Sequence, residues 1–226
     1  MYTIALDDGH GIETLGKRTP LLPDGTFMHE NEFNNAVVQL IKMKLQNQKD
    51  IFKPLLTALG DVDVSLDERV NVADNAKANI FVSVHANAMT DEFTEHSGIE
   101  TFHYPGSVNG KRLAEIIHNN LIKGTPLKDR GIKTAGFYVL KYTNMPAVLV
   151  ECAFMTNLKE ARLLLSGAYR EECATEIYNG ICEYFNVIPI VDEYKKELKD
   201  QIITLDKIIF GLRSKLEAIK KITEGE

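Results

Sequence analysis

Short apolar runs and stretches of helical spacing take turns along the chain from Tyr2 to Phe185. Tyr2 to Leu6 reads as a strand, and Glu32 to Leu45 sets Phe33, Val37, Leu40, Ile41 and Leu45 along one helical face. Ile51 to Thr57 reads as a second strand. Ser65 with Glu68 is a capping-box pair that opens a helix reaching Lys77, which feeds the apolar run Ile80 to Val84. Gly98 to Tyr104 alternates as a strand, and Leu113, Ile116, Ile117 and Leu121 mark a helix after it. Phe137 to Tyr142 and Ala147 to Val150 read as two further strands, parted by a turn through Asn144-Met145-Pro146. Asn157 with Glu160 repeats the capping logic for a short helix, and Tyr169 to Phe185 is an amphipathic one. The pattern predicts an α/β fold, a twisted and mostly parallel sheet flanked by helices on both faces. It does not set the strand order.

The periodicity changes past Val187-Ile188-Pro189-Ile190. Leu198, Ile202, Leu205, Ile209, Leu212, Leu216 and Ile219 recur at alternating spacings of four and three, the seam of a coiled coil. Phe210 and Gly211 interrupt it, so an amphipathic helix packed on the preceding domain is the competing reading. The expected organisation is an α/β domain over 1–186, a hinge at 187–191 and a helical tail over 192–226. A coiled coil would make a homodimer through 198–219.

Composition narrows the classes. With 226 residues, 44% hydrophobic and 26% charged, the chain can bury a sizeable core. A net charge of -6 without any basic patch argues against nucleic acid as a partner. No apolar run approaches the roughly 20 residues of a membrane span. The N-terminus enters a strand directly, without the pattern of a signal peptide, so synthesis in the cytoplasm is expected. Cys152, Cys173 and Cys182 lack paired-ligand spacing and read as reduced, buried thiols.

The candidate chemistry lies where apolar runs end. His10 follows the first strand inside Asp7-Asp8-Gly9-His10-Gly11, His85 follows Ile80 to Val84, and Glu151 follows Ala147 to Val150. In open α/β sheets, ligands gather at the carboxyl edge of the strands. Glu30 sits instead in the turn-rich entrance to a helix, from which a carboxylate can swing toward the same edge. Two imidazoles with a carboxylate are a familiar catalytic zinc set, and a glutamate closing an apolar strand suits a base of raised pKa. Each residue alone also has a bland explanation in packing or helix-end electrostatics. Their spacings in sequence do not combine them, and side-chain chemistry leaves Glu30 and Glu32 open as rivals.

Read with their neighbours, these segments resemble the zinc-dependent N-acetylmuramoyl-L-alanine amidases of the type 3 family, which cut peptidoglycan. The family's opening strand and glycine-histidine-glycine turn is similar to Ile4-Ala5-Leu6-Asp7-Asp8-Gly9-His10-Gly11. Its glutamate shortly before an asparagine on the first helix is similar to Glu30 in His29-Glu30-Asn31-Glu32-Phe33-Asn34. Phe81-Val82-Ser83-Val84-His85-Ala86-Asn87 and Met145-Pro146-Ala147-Val148-Leu149-Val150-Glu151 match its two other blocks. The resemblance implies one zinc ion on His10, Glu30 and His85, with Glu151 as catalytic base and then acid. It also makes Asn87 and Arg69 candidates for contact with substrate or with the ligands, although a turn and a salt bridge explain them as well. His29, His96, His103 and His118 are left as surface or packing residues.

Departures from the family are few. Asp8 stands where a proline is usual and Ile12 where a second glycine is usual, and Gly16-Lys17-Arg18-Thr19-Pro20 looks like a phage-type variant. The implied activity is hydrolysis of the amide between N-acetylmuramic acid and L-alanine, by a phage-type endolysin acting on the wall after release. The alternatives are another wall-directed zinc peptidase or carboxypeptidase, and a non-enzymatic wall-binding or assembly protein that works through its tail.

Overall fold

Alternating apolar positions on the inner strands sort the protein into layers. The computed structural model describes residues 1–58 and 62–190. In chain order it contains β1 (Tyr2–Asp7), α1 (Glu30–Gln46), β2 (Phe52–Leu56), α2 (Leu66–Asn75), β3 (Ile80–Asn87) and β4 (Ile99–His103). There follow α3 (Val108–Gly124), β5 (Asp129–Thr134), α4 (Tyr138–Lys141), β6 (Ala147–Phe154), α5 (Leu158–Leu165) and α6 (Gly167–Tyr184).

The strands form one six-stranded sheet in the order β2-β1-β3-β6-β4-β5. All neighbours are parallel except β4 and β6. Ile4, Leu6, Val82, Val84, Val148 and Val150 face one side, in a core shared with α1, α3 and α6. Ala5, Phe81, Ala147 and Leu149 face the other, beneath Val70 and Ala73 of α2 and Val139 and Leu140 of α4. Near-continuous apolar strands with helices on both faces are what parallel pairing requires. Because β4 and β5 run against the other strands, their amino ends share an edge with the carboxyl ends of β1, β3 and β6.

Two expectations are corrected, and one strand was not foreseen. Phe137 to Tyr142 is not a strand: its centre is the short helix α4, with the Tyr138 and Tyr142 rings one turn apart, tilted, at 4.4 Å between centres. A six-residue segment with one lysine inside it is too short for periodicity to separate helix from strand. β5 had no apolar alternation to announce it, since Asp129-Arg130-Gly131-Ile132-Lys133-Thr134 is a polar edge with glycine inside. β3 and β6 also run past the expected ends, so His85 and Glu151 lie within strands.

Ser65 and Glu68 do form a reciprocal capping box. Asn157 caps α5 alone, because Glu160 turns back to accept from the Phe154 and Gly98 amides. All three cysteines are buried and free. Among the described residues no helix is long and apolar enough to cross a membrane. The expected tail over 192–226, its heptad seam and the dimer through 198–219 lie outside the described residues.

Candidate metal centre and active site

The turn after β1 uses glycine for two distinct reasons. Gly9 has φ +37° and a Cβ there would stand 2.3 Å from Cε1 of His85; at Gly11 it would stand 2.4 Å from the Asp63 nitrogen. Between them His10 is itself left-handed, at φ +62°, a conformation that costs a non-glycine residue energy and needs external support. The support comes from α1 and α2. Asn31 Nδ2 donates to the His10 carbonyl at 3.0 Å, Asn34 Nδ2 to the Gly9 carbonyl at 3.2 Å, and Arg69 Nη2 to the His10 carbonyl at 3.0 Å.

This loop brings His10 against Glu30 and His85. One ligand atom from each lies within 4.8 Å of the others. Glu30 is the first residue of α1 and only 2% exposed. It is pinned rather than swinging: its amide donates to Lys17 O at 2.8 Å and its Oε1 accepts from the Ala86 amide at 3.3 Å. Glu30 Oε1 is 2.9 Å from His85 Nδ1, and Oε2 is 3.5 Å from His10 Nε2. Glu32, the rival in sequence, is exposed and accepts from the His29 amide as a helix cap.

Protonation follows from burial and neighbours. Burial lowers the His10 pKa to about 4, against the charge of Glu30, so its imidazole is neutral near pH 7. For His85, burial alone would lower the pKa, but hydrogen bonding and attraction to Glu30 raise it. For Glu30, burial would raise the carboxyl and His85 outweighs it downward.

A chain of buried polar groups aims His85. Arg69 Nη1 donates to Asp7 Oδ1 at 2.8 Å and to Asp8 Oδ1 at 3.2 Å. Thr57 also donates to Asp7, and Ser83 Oγ lies 2.5 Å from Asp7 Oδ2. Burial would raise Asp7, yet Arg69 and these hydrogen bonds hold it below the usual range, so it is an ionised acceptor. Ser83 therefore donates to Asp7 and accepts from Nε2–H of His85, 3.0 Å away. That assignment from the network leaves His85 Nδ1 facing the cluster.

Glu151 stands beside His85 in the β3–β6 pairing, and Glu100 stands opposite Glu151 in the β4–β6 pairing. Glu151 Oε2 is buried without a hydrogen-bond partner. Burial pushes its pKa up to about 7, with His85 opposing and Glu30 adding to the rise.

The structure thus brings His10, Glu30 and His85 together with Glu151 alongside, and gives Arg69 an ion pair beneath the loop. Asn87 ends β3, where its carbonyl accepts from the Met155 amide past a register shift. Sequence reading missed Asp7, Ser83 and Asn34 as supports. The available signal was polar residues at inward positions: Asp7 and Ser83 within apolar strands, and Asn31 and Asn34 on the buried face of α1.

An open sheet with two imidazoles, a carboxylate and a separate unpartnered carboxyl group at one edge is the layout of a hydrolytic α/β enzyme. The chain belongs to the N-acetylmuramoyl-L-alanine amidase family, which matches residues 4–183. It is 38% identical over 185 residues to N-acetylmuramoyl-L-alanine amidase LytC of Bacillus subtilis (strain 168), covering 81% of this chain and 35% of that protein. It is 34% identical over 188 residues to the endolysin of Bacillus phage SPP1, covering 80% of this chain and 65% of that protein. The catalytic domain of CwlV, an N-acetylmuramoyl-L-alanine amidase from Bacillus (Paenibacillus) polymyxa var. colistinus, superposes with a TM-score of 0.75 at 33% identity. That likeness covers 83% of this chain and 100% of the CwlV domain. The chain spans about a third of LytC and about two thirds of the endolysin.

Proposed function

We propose that the protein hydrolyses the amide joining the lactyl group of N-acetylmuramic acid to L-alanine of the peptidoglycan stem peptide. In this reading His10, Glu30 and His85 hold one zinc ion and Glu151 moves the proton. The observation that carries it is the convergence of three ligand atoms within 4.8 Å, next to a strand position bearing a buried carboxyl oxygen with no partner. Two imidazoles and one carboxylate fit a catalytic zinc with a coordination position left for water. Zinc bound there would supply a water of lowered pKa and polarise the scissile carbonyl.

The chain's own residues do the rest. His10 is held neutral by burial and offers a lone pair. Ser83 holds the far nitrogen of His85, so the near one points inward. Glu151, balanced near pH 7 between its two forms, can take a proton from the attacking water and return it to the leaving nitrogen. The family, the bacterial amidases and the phage endolysin among its relatives support the substrate. Residues 1–186 carry this chemistry, and the wall is where it acts, after release; the phage-type branch rests on Asp8 and the Gly16 to Pro20 segment.

Digestion of purified cell walls tests the reading. New amino-terminal alanine and peptide-free glycan are expected, and neither should appear after a chelator has removed zinc. Free D-alanine as the product would identify a carboxypeptidase instead, and full activity without zinc would overturn the metal assignment.

A further inference from the structure

An irregularity in β5 re-aims two cations toward the site. Ile99 pairs with Asp129, but Thr101 pairs with Ile132, so β5 carries one residue more than β4 across this step. Gly131, at φ +81°, takes up the extra residue as a bulge. In a regular strand, positions 130 and 133 would face opposite sides of the sheet. With the bulge between them, Arg130 and Lys133 converge on one carboxylate. Arg130 Nε donates to Glu100 Oε1, and Lys133 Nζ lies 2.7 Å from Oε2.

The place of this group in the sheet gives it a purpose. Glu100, Glu151 and His85 form a row across β4, β6 and β3. Two steps between strands put Glu100 roughly 10 Å from the His85 strand position. Arg130 is the inner cation, its guanidinium 4.9 Å over the Phe154 ring and within reach of the Ser97 carbonyl. Lys133 is the outer one. Its side chain is 38% exposed, and its ammonium stands 5.9 Å from the centre of the half-buried Phe102 ring, which packs against Phe137. An ammonium has three N–H donors, and Glu100 occupies one.

We propose that Lys133, aimed by the Gly131 bulge and steadied by Glu100, forms a subsite for a carboxylate on the peptide part of the substrate. The identity of that substrate rests on the amidase reading. Hydrolysis at the metal centre leaves a peptide running outward from the cleaved nitrogen, and an extended chain covers about 3.5 Å per residue. A span of roughly 10 Å corresponds to about three extended residues, so a carboxylate carried by the residue after the alanine lies within it.

The test compares L-alanyl-glutamate with its diamide, neither of which contains the scissile bond, by calorimetric titration of the full-length protein. Wild type should bind the acid about tenfold more tightly, the worth of one partly exposed charge-assisted hydrogen bond. In Lys133→Gln the ratio should fall to about one, and Lys133→Arg should keep most of it. An unchanged ratio in Lys133→Gln, or no preference in wild type, overturns the subsite. Wall digestion is scored separately. Intact walls with a preserved preference would reject the amidase reading alone, and digested walls with an unchanged ratio would reject the subsite alone.

Discussion

The guanidinium of Arg69 donates to Asp7 Oδ1 at 2.8 Å, with both side chains almost wholly withdrawn from solvent, and the same guanidinium holds the carbonyl of His10. One ion pair thus ties the core of the sheet to the first candidate ligand. Arg69→Met leaves the Asp7 charge buried and unpaired, so it should cost about 3 to 5 kcal/mol in urea unfolding. It should also weaken zinc binding, read by competition with a chelator, because the left-handed His10 loses a tether. A variant of native stability and native zinc affinity would dismiss the tether.

The same pair sets a direction for acid stability. Asp7 has its folded pKa below the unfolded value of about 3.9, so its contribution is fully present above that value and is lost as pH falls through the folded pKa. Urea midpoints should therefore drop between roughly pH 5 and pH 2, and Asp7→Asn should flatten that drop while lowering stability at pH 7. Asp8 behaves oppositely: burial and the neighbouring Asp7 charge raise its pKa, so Asp8→Asn should cost less than Asp7→Asn at neutral pH. Equal losses in the two variants would contradict this division.

Gly9 is fixed by a contact as well as by its backbone. Gly9→Ala forces a methyl group into the His85 ring, whereas a Cβ at Gly16, also left-handed at φ +75°, meets open space. Gly16→Ala should cost only about 1 kcal/mol and keep zinc affinity. Gly9→Ala should lose zinc affinity in addition to stability, which calorimetric zinc titration of both variants would reveal.

Much of this site was legible because its residues interrupt apolar patterns. His85 and Glu151 sit in strands that are otherwise almost wholly apolar, and Gly9-His10-Gly11 breaks the chain directly after one. The strands themselves were readable for the same reason, since parallel pairing buries both faces. Where apolar pattern failed, other forces decided. β5 is a polar edge that pairs through a bulge, and α4 is one turn that buries Val139 and Leu140. Helix phase parts Glu30 from Glu32: one faces the histidines from the buried side of α1, and the other caps the helix from the surface. The buried route from Arg69 through Asp7 and Ser83 joins segments far apart in sequence, which no local pattern encodes.

Ser83 makes that route testable without touching a ligand. Ser83→Ala removes the acceptor for Nε2–H of His85 and frees the ring to adopt the other tautomer. Loss of such a support lowers metal affinity by roughly 10- to 100-fold. The alanine variant should stay folded, since only one small buried hydroxyl is removed, and Ser83→Thr should recover part of the affinity. Unchanged zinc affinity in Ser83→Ala would remove the relay from the account.

Glu151 carries the sharpest pH prediction. The proposed base must be deprotonated to act, and burial has brought its pKa up to about 7. A bound cation nearby would draw it downward, since positive charge favours the carboxylate. Wall hydrolysis should therefore rise with pH along an acidic limb whose midpoint lies at or below about 7. Glu151→Gln keeps the shape and cannot accept the proton, so turnover should fall by roughly 10²- to 10⁴-fold while zinc content stays near one per chain. Retained turnover in that variant would move the proton-transfer role elsewhere. An unaltered acidic limb in whatever activity remains would show that the titrating group is not Glu151.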